Sequence, residues 1–501
     1  MNPQMSDREM VPRDHFGREA AAAELDASYV RYDCTLDEMQ EAKKRFRPGL
    51  SLPDPFRSLV HEQTHLQHAY GTPVGMFLRR IQQLQEQCVL HLLQLLTEHK
   101  IPVRGPLIRW LSTQDERVKR LTMPARRLWN LAELLRVAQI GSIDAWESGV
   151  IRNEFSSAIS PEAALEYVLE IMERTESESF DTAGTESLTN RTHQSSWNHL
   201  YDFKKDAGMT AGLRTVMRGQ INMAAVLETT AYITEFYGCG SEELAGAHEP
   251  LVGSLEYSTY NFLLILSPAH RLDEAPPHQQ ILTRRAAAEL SLFVPVLHEL
   301  SHHRTALRVQ DLLPLSRYIR MWELLKDVRP VTDLADVTRY YDDACERTGW
   351  THPSEVCTDT LRLLSVDDSD RRCLAFATGL GARIVDPGFF INPFASLLGH
   401  SHFGNNVAKL FDFATMEFAD GRMLLDKDRS RATWFKLEYL WGRWIRGMMI
   451  SPRPVLGIPW ECDQYERDYL TYELRKRIGN LLGRNVPSPL LQGREGSAHG
   501  E

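Results

Sequence analysis

Two short segments of the chain carry the same set of chemically capable side chains. In SLVHEQTHLQHAYGTP, residues 58–73, His61, Glu62 and His65 spell H-E-x-x-H, and in PVLHELSHHRTALR, residues 295–308, His298, Glu299 and His302 spell it again. On an α-helix, positions i and i+4 share a face one turn apart, so each pair of histidines aims two imidazoles at one point. Neutral imidazole suits Zn²⁺, which in catalytic sites takes three protein ligands and keeps a fourth position for water. The glutamate beside the first histidine stands where it can take a proton from that water, whose pKa the metal draws down to about 7. Five residues thus encode two ligands and a general base. The chain has 18 histidines, which makes one chance copy an ordinary risk and two a poor coincidence.

A third ligand has to come from elsewhere. Glu228, in VLETTAYITEFYG (226–238), is an acid in an otherwise apolar helical stretch, where an unpaired charge is costly. Glu235 follows one heptad later and can support a histidine by accepting from its other ring nitrogen. The segment LVHEQTH resembles the active-site helix of zincin metallopeptidases, and a glutamate on a later helix is the third ligand of the gluzincins. The resemblance covers this motif and one distant glutamate. It implies a zinc cofactor on His61, His65 and Glu228, with Glu62 as general base for attack on a peptide or amide carbonyl of a peptide or protein substrate. Neither copy continues into the longer H-E-x-x-H-x-x-G-x-x-H of metzincins. The His298, Glu299, His302 copy is a second metal site or a duplicated structural remnant. Zincins also place a β-sheet ahead of the motif helix, and the best strand signal there is SYVRYDC (28–34).

The same residues read as E-x-x-H support a different chemistry. Glu62/His65 and Glu299/His302, joined by Glu228 and Asp412, resemble the two-metal carboxylate site of ferritin-like bundles, with two Fe or Mn ions and O₂ as reactant. That reading leaves His61 and His298 without a role. A non-enzymatic helical interaction module with a closed structural metal is the third possibility. Other features have plain readings. His68 reads as a solvated histidine, His400 and His402 in GHSHFG as a turn, and the basic run at 117–129 as a solvated helix face. The aromatics of 434–449 read as packing. Nothing matches a phosphate loop, a G-x-G-x-x-G turn or a G-x-S-x-G elbow.

The elements that must position these residues are helices. Apolar residues recur three and four apart over 75–100, 217–237, 283–308, 404–426, 432–450 and 466–484, which predicts a mainly α protein of large helical regions with little β. The expected organisation is an N-terminal segment (1–50), a helical region with the first motif and Glu228 (51–240), a second with the other motif (241–486), and a disordered tail (487–501). A polar linker occupies 173–196. The shared N-x-A-x-x-x-acid of 221–236 and 405–418 aligns Asn222 with Asn406, Ala224 with Ala408 and Glu228 with Asp412, a weak internal duplication. With 501 residues, 43% apolar and 25% charged, the chain can bury a sizeable core, and a net charge of −10 argues against a nucleic-acid partner. No apolar run reaches the length of a membrane helix, and the N-terminus lacks a secretory h-region. Seven scattered cysteines without a C-x-x-C pair read as reduced thiols, so the expected location is cytoplasmic.

Overall fold

In the computed structural model the residues described are 21–24, 29–32, 34–45, 54–104, 106–140, 223–237, 275–295, 312–314, 317–318, 320–321, 328–363, 371–388, 391, 415–419, 429–450 and 464–483. Among them the protein is mainly α, as the periodicity predicts. In chain order come strands β1 (Ala21–Glu24) and β2 (Tyr29–Tyr32), then helices α1 (Leu36–Arg45), α2 (Asp54–Tyr70), α3 (Pro73–Glu98), α4 (Leu107–Ser112) and α5 (Glu116–Ile140). There follow α6 (Met223–Glu235), α7 (Pro277–Ser291), α8 (Val337–Thr348), α9 (Pro353–Leu363), α10 (Arg371–Val385), strand β3 (Thr415–Glu417), α11 (Arg429–Ile450) and α12 (Gln464–Leu482). No helix among the described residues is long and apolar enough to cross a membrane.

The strand signal at 28–34 forms β2. It pairs antiparallel with β1, Ala22 opposite Arg31, and parallel with β3, Val30 opposite Met416. Two helical expectations are corrected here. The stretch 404–426 holds strand β3 at 415–417, because a short apolar run serves a three-residue strand as well as a helix turn. In the stretch 283–308 the helix closes at Ser291 and residues 293–295 are not helical, since the ring of Pro295 disfavours the α conformation in the residue before it; residues 296–308 lie outside the described residues.

α3 is the spine of the main core. Val89, Leu92, Leu93 and Leu96 are fully buried at helical spacing against α5, α11 and α12, each worth about 1.5–3 kcal/mol of burial. This cluster draws on residues from Val74 to Leu482, so both predicted helical regions contribute to one interior. Tyr439 and Trp444 of α11 are buried in it and Trp441 packs against it, so these aromatics of 434–449 are packing residues. A second cluster surrounds α2, with Phe56, Leu59, Val60, Leu66 and Tyr70 against Tyr32, Phe376, Leu380 and Phe418.

The joint after α2 is tight. Thr72 Oγ1 donates to the His68 carbonyl at 2.6 Å and accepts from Gly75 N at 3.1 Å, capping α3 while closing α2, and Pro73 opens the new helix. A Cβ at Gly75 would collide with the Ala69 carbonyl, and one at Gly379 of α10 with the Tyr70 carbonyl. The C-terminal turn of α2 is therefore gripped by bare backbone from two helices.

Candidate metal centre

α2 is an unusual helix in that it hides its polar residues. Glu62, Gln63, Thr64, His65, Gln67 and His68 are all buried, although burying a polar group without a partner costs several kcal/mol by transfer scales, roughly 2–7. Thr64 answers this locally by donating to the Val60 carbonyl at 2.8 Å. The histidines turn toward α6, which packs along α2. On α6 the well-buried positions Val226, Thr230, Ala231, Ile233 and Thr234 leave Glu228, Tyr232 and Glu235 as a less buried stripe at i, i+4 and i+7.

The two stripes converge. His61 Nε2 and His65 Nε2 are 3.1 Å apart, and Glu228 Oε2 lies 3.4 Å from the first and 3.3 Å from the second. The rings meet edge-on with centroids 4.9 Å apart. Glu235 Oε1 stands 2.6 Å from His61 Nδ1. A carboxylate only accepts, so Nδ1–H donates to Glu235 and the Nε2 lone pair points at the gap shared with His65 and Glu228. Two imidazole nitrogens and a carboxylate oxygen converging on one gap demand a positive centre between them, either a proton or a cation. A tetrahedral Zn²⁺ with bonds of 2.0–2.1 Å has donor–donor edges of about 3.3 Å. The three observed edges fit that figure. The Glu228 side chain is 38% exposed against 13% and 11% for the two histidines, so the triangle is open on the Glu228 side.

Charge and burial compete at each of these groups. Burial alone would lower the pKa of His61, but hydrogen bonds to Glu228 and Glu235 and the charge of Glu62 raise it well above its usual value. Burial would raise that of Glu228, but His65 and His61 hold it well below the carboxylate range. Glu62 is buried, close enough to His61 and to the Tyr32 hydroxyl for its negative charge to raise both. Burial is the larger cause for Tyr32, which stacks on Phe418 at 5.5 Å.

Of the residues singled out in the sequence, His61, His65 and Glu228 are brought together, Glu235 meets His61, and Glu62 lies beside the group. Among the described residues this is the one set of three metal-capable side chains whose ligand atoms all lie within 4.8 Å of one another. His298, Glu299 and His302, together with Asn222, Asn406, Ala408, Asp412, His400 and His402, lie outside the described residues. His68 departs from its reading as a solvated side chain: it is 3% exposed. One turn past His65, it borders a buried charge cluster that sequence reasoning missed. There Arg285 Nη2 donates to Gln67 Oε1 at 2.6 Å, Arg285 Nε donates to Glu289 Oε1 at 3.3 Å, and Arg383 Nη2 lies 2.6 Å from Glu289 Oε2. Burial, Arg285, His65 and Arg383 all push the His68 pKa well down, so its ring is neutral and its 3.7 Å approach to Glu289 is a contact, not an ion pair.

No protein-family model, curated protein or solved structure matches this chain. Any reading of its activity therefore rests on the geometry above.

Proposed function

We propose that the protein is a zinc-dependent hydrolase of peptide or amide bonds. The observation that carries this reading is the convergence of His61 Nε2, His65 Nε2 and Glu228 Oε2 on one gap, with edges of 3.1, 3.4 and 3.3 Å and exposure on one side. Zinc bound there would supply a Lewis acid and a water acidic enough to lose a proton near neutral pH. The chain's own residues then divide the work. His61 and His65 bind through Nε2, and Glu235 holds His61 in the tautomer that leaves this atom unprotonated. Glu228 completes the ligand set from a second helix. Glu62, next in the chain to His61 and buried, is the general base that receives the proton from the nucleophile. The use of His61 by this group, with Glu62 beside it, favours this reading over a two-metal E-x-x-H site, which would take Glu62 as ligand and leave His61 idle. We place the protein in the cytoplasm, in line with the free thiols of Cys88, Cys345 and Cys357.

Metal analysis of the full-length protein purified without chelators tests the proposal, together with hydrolysis of a peptide library. One zinc per chain is expected, and Glu62→Gln should keep that zinc and lose hydrolysis. Two iron or manganese ions per chain, lost on changing Glu62 or Glu299, would overturn the hydrolase in favour of the two-metal oxygenase.

A further inference from the structure

The charge cluster beside His68 takes no part in the proposed hydrolysis, yet it joins the helices on which that hydrolysis depends. Arg285 and Glu289 sit one turn apart on α7, Arg383 sits on α10, and all three are 0% exposed. Arg383 is anchored from two further directions, donating to the Pro387 carbonyl at 2.8 Å and lying over the Phe293 ring at 5.4 Å. Glu289 is engaged by both guanidinium groups, and through Arg285 the cluster reaches Gln67, two residues after His65. α7 also packs against α6, the helix of Glu228 and Glu235. A single element thus contacts both helices whose separation defines the ligand triangle.

That separation is set to a fine tolerance. Metal ligands must fall within about 0.2 Å of their proper distances. A rotation of α2 by about 10° carries a side-chain tip, at a radius of 5–6 Å, through about 1 Å. The apolar contacts of α2 are non-directional and control its depth better than its rotation. A guanidinium held by a carboxylate is a directional fixture, because its donors lie in one plane at fixed angles. We infer that Glu289 is a positioning residue of the His61/His65/Glu228 site: it fixes Arg285, whose bond to Gln67 sets the rotation of α2 against α6. This rests on the metal-site reading above.

The test uses full-length protein, with zinc affinity from competition against a chromophoric chelator and coordination geometry from the absorption spectrum of bound Co²⁺. Gln67→Met keeps the volume and removes the bond to Arg285, while Gln67→Glu keeps an acceptor for it. Because Glu289→Gln alone strands two buried cations, the cluster is replaced whole by Arg285→Met, Glu289→Leu and Arg383→Met, an exchange that buried ion triads tolerate. Gln67→Met and the triple variant should each weaken zinc binding ten- to a hundredfold and alter the Co²⁺ spectrum, as loss of outer support does elsewhere. Gln67→Glu should retain affinity. Leu474→Ala, in the remote main core, should lower Tm and change neither readout. Folded Gln67→Met and triple variants with wild-type affinity and spectrum would overturn the positioning role and leave the metal site standing. A wild-type protein that takes up neither Zn²⁺ nor Co²⁺ would sink the site and this inference together.

Discussion

His61 holds its two ring nitrogens to different tasks, and that division has a measurable consequence. Nδ1 donates to Glu235 at 2.6 Å, while Nε2 faces His65 and Glu228. Against the opposing cost of burial, Glu228 and Glu235 raise its pKa well above 6.5, so the metal-free site carries a proton at neutral pH where a metal would sit. The group is raised in the folded state, so its contribution to stability is fully present below about pH 6.5 and is lost as pH climbs through the raised value. Glu228 has the opposite sign: its lowered pKa gives stability that is present above its unfolded value and lost as pH falls. Zinc must displace the His61 proton, so its affinity should rise up to tenfold per pH unit from pH 6.5 upward until the raised pKa is passed. Calorimetric titration of zinc in buffers of different ionisation enthalpy would count that proton directly. An affinity flat between pH 6.5 and 8, with no proton released, is incompatible with this account of His61.

At the scale of elements, the site depends on how α2 ends. Its last turn is pressed by backbone at Gly75 and Gly379, and nothing there can retreat, since the colliding atoms would be main-chain carbonyls. Gly379→Ala should cost about 1–3 kcal/mol in chemical denaturation, as overpacking does in dense interiors. Gly381→Ala, two residues on in the same helix, where among the described residues no atom outside the local helix backbone comes within 4 Å of an added Cβ, should be neutral or stabilising by up to about 1 kcal/mol. Equal effects at the two positions would show that the close approach of α10 to α2 is not limiting. The helices themselves were legible because their apolar residues recur at the helical period, as in Val89, Leu92, Leu93 and Leu96 of α3. Glu228 was legible as an acid among apolar neighbours. The strand at 415–417 was not, since its pairing with β2 is a contact between distant parts of the chain. Glu289 was equally hidden: an Arg–Glu pair at i and i+4 looks in sequence like any solvated helix pair, and only the approach of Arg383 and Gln67 from other helices reveals that it is buried.

For the molecule as a whole, the proposed ligand triangle would, with a cation bound, cross-link distant parts of one interior. His61 and His65 belong to α2, whose surroundings form the smaller apolar cluster, and Glu228 belongs to α6, whose Met223, Val226 and Ile233 are built into the main core. A cation held by all three ties the two clusters together and binds the folded state alone, because the unfolded chain does not bring α2 and α6 to one point. Zinc at a hundredfold excess over its Kd should then stabilise the protein by about 2.7 kcal/mol. Unfolding entropy grows with chain length at about 2.1 cal/mol/K per residue, so for one cooperative unit of this size the gain corresponds to about 3 °C in Tm. Scanning calorimetry with added zinc and with a chelator measures the difference. In Glu228→Ala the zinc-dependent increment should vanish, since the bridge between the clusters is cut while both histidines remain on α2. An undiminished increment in that variant would place the zinc-dependent stabilisation elsewhere in the chain and separate it from the geometry of α2 and α6.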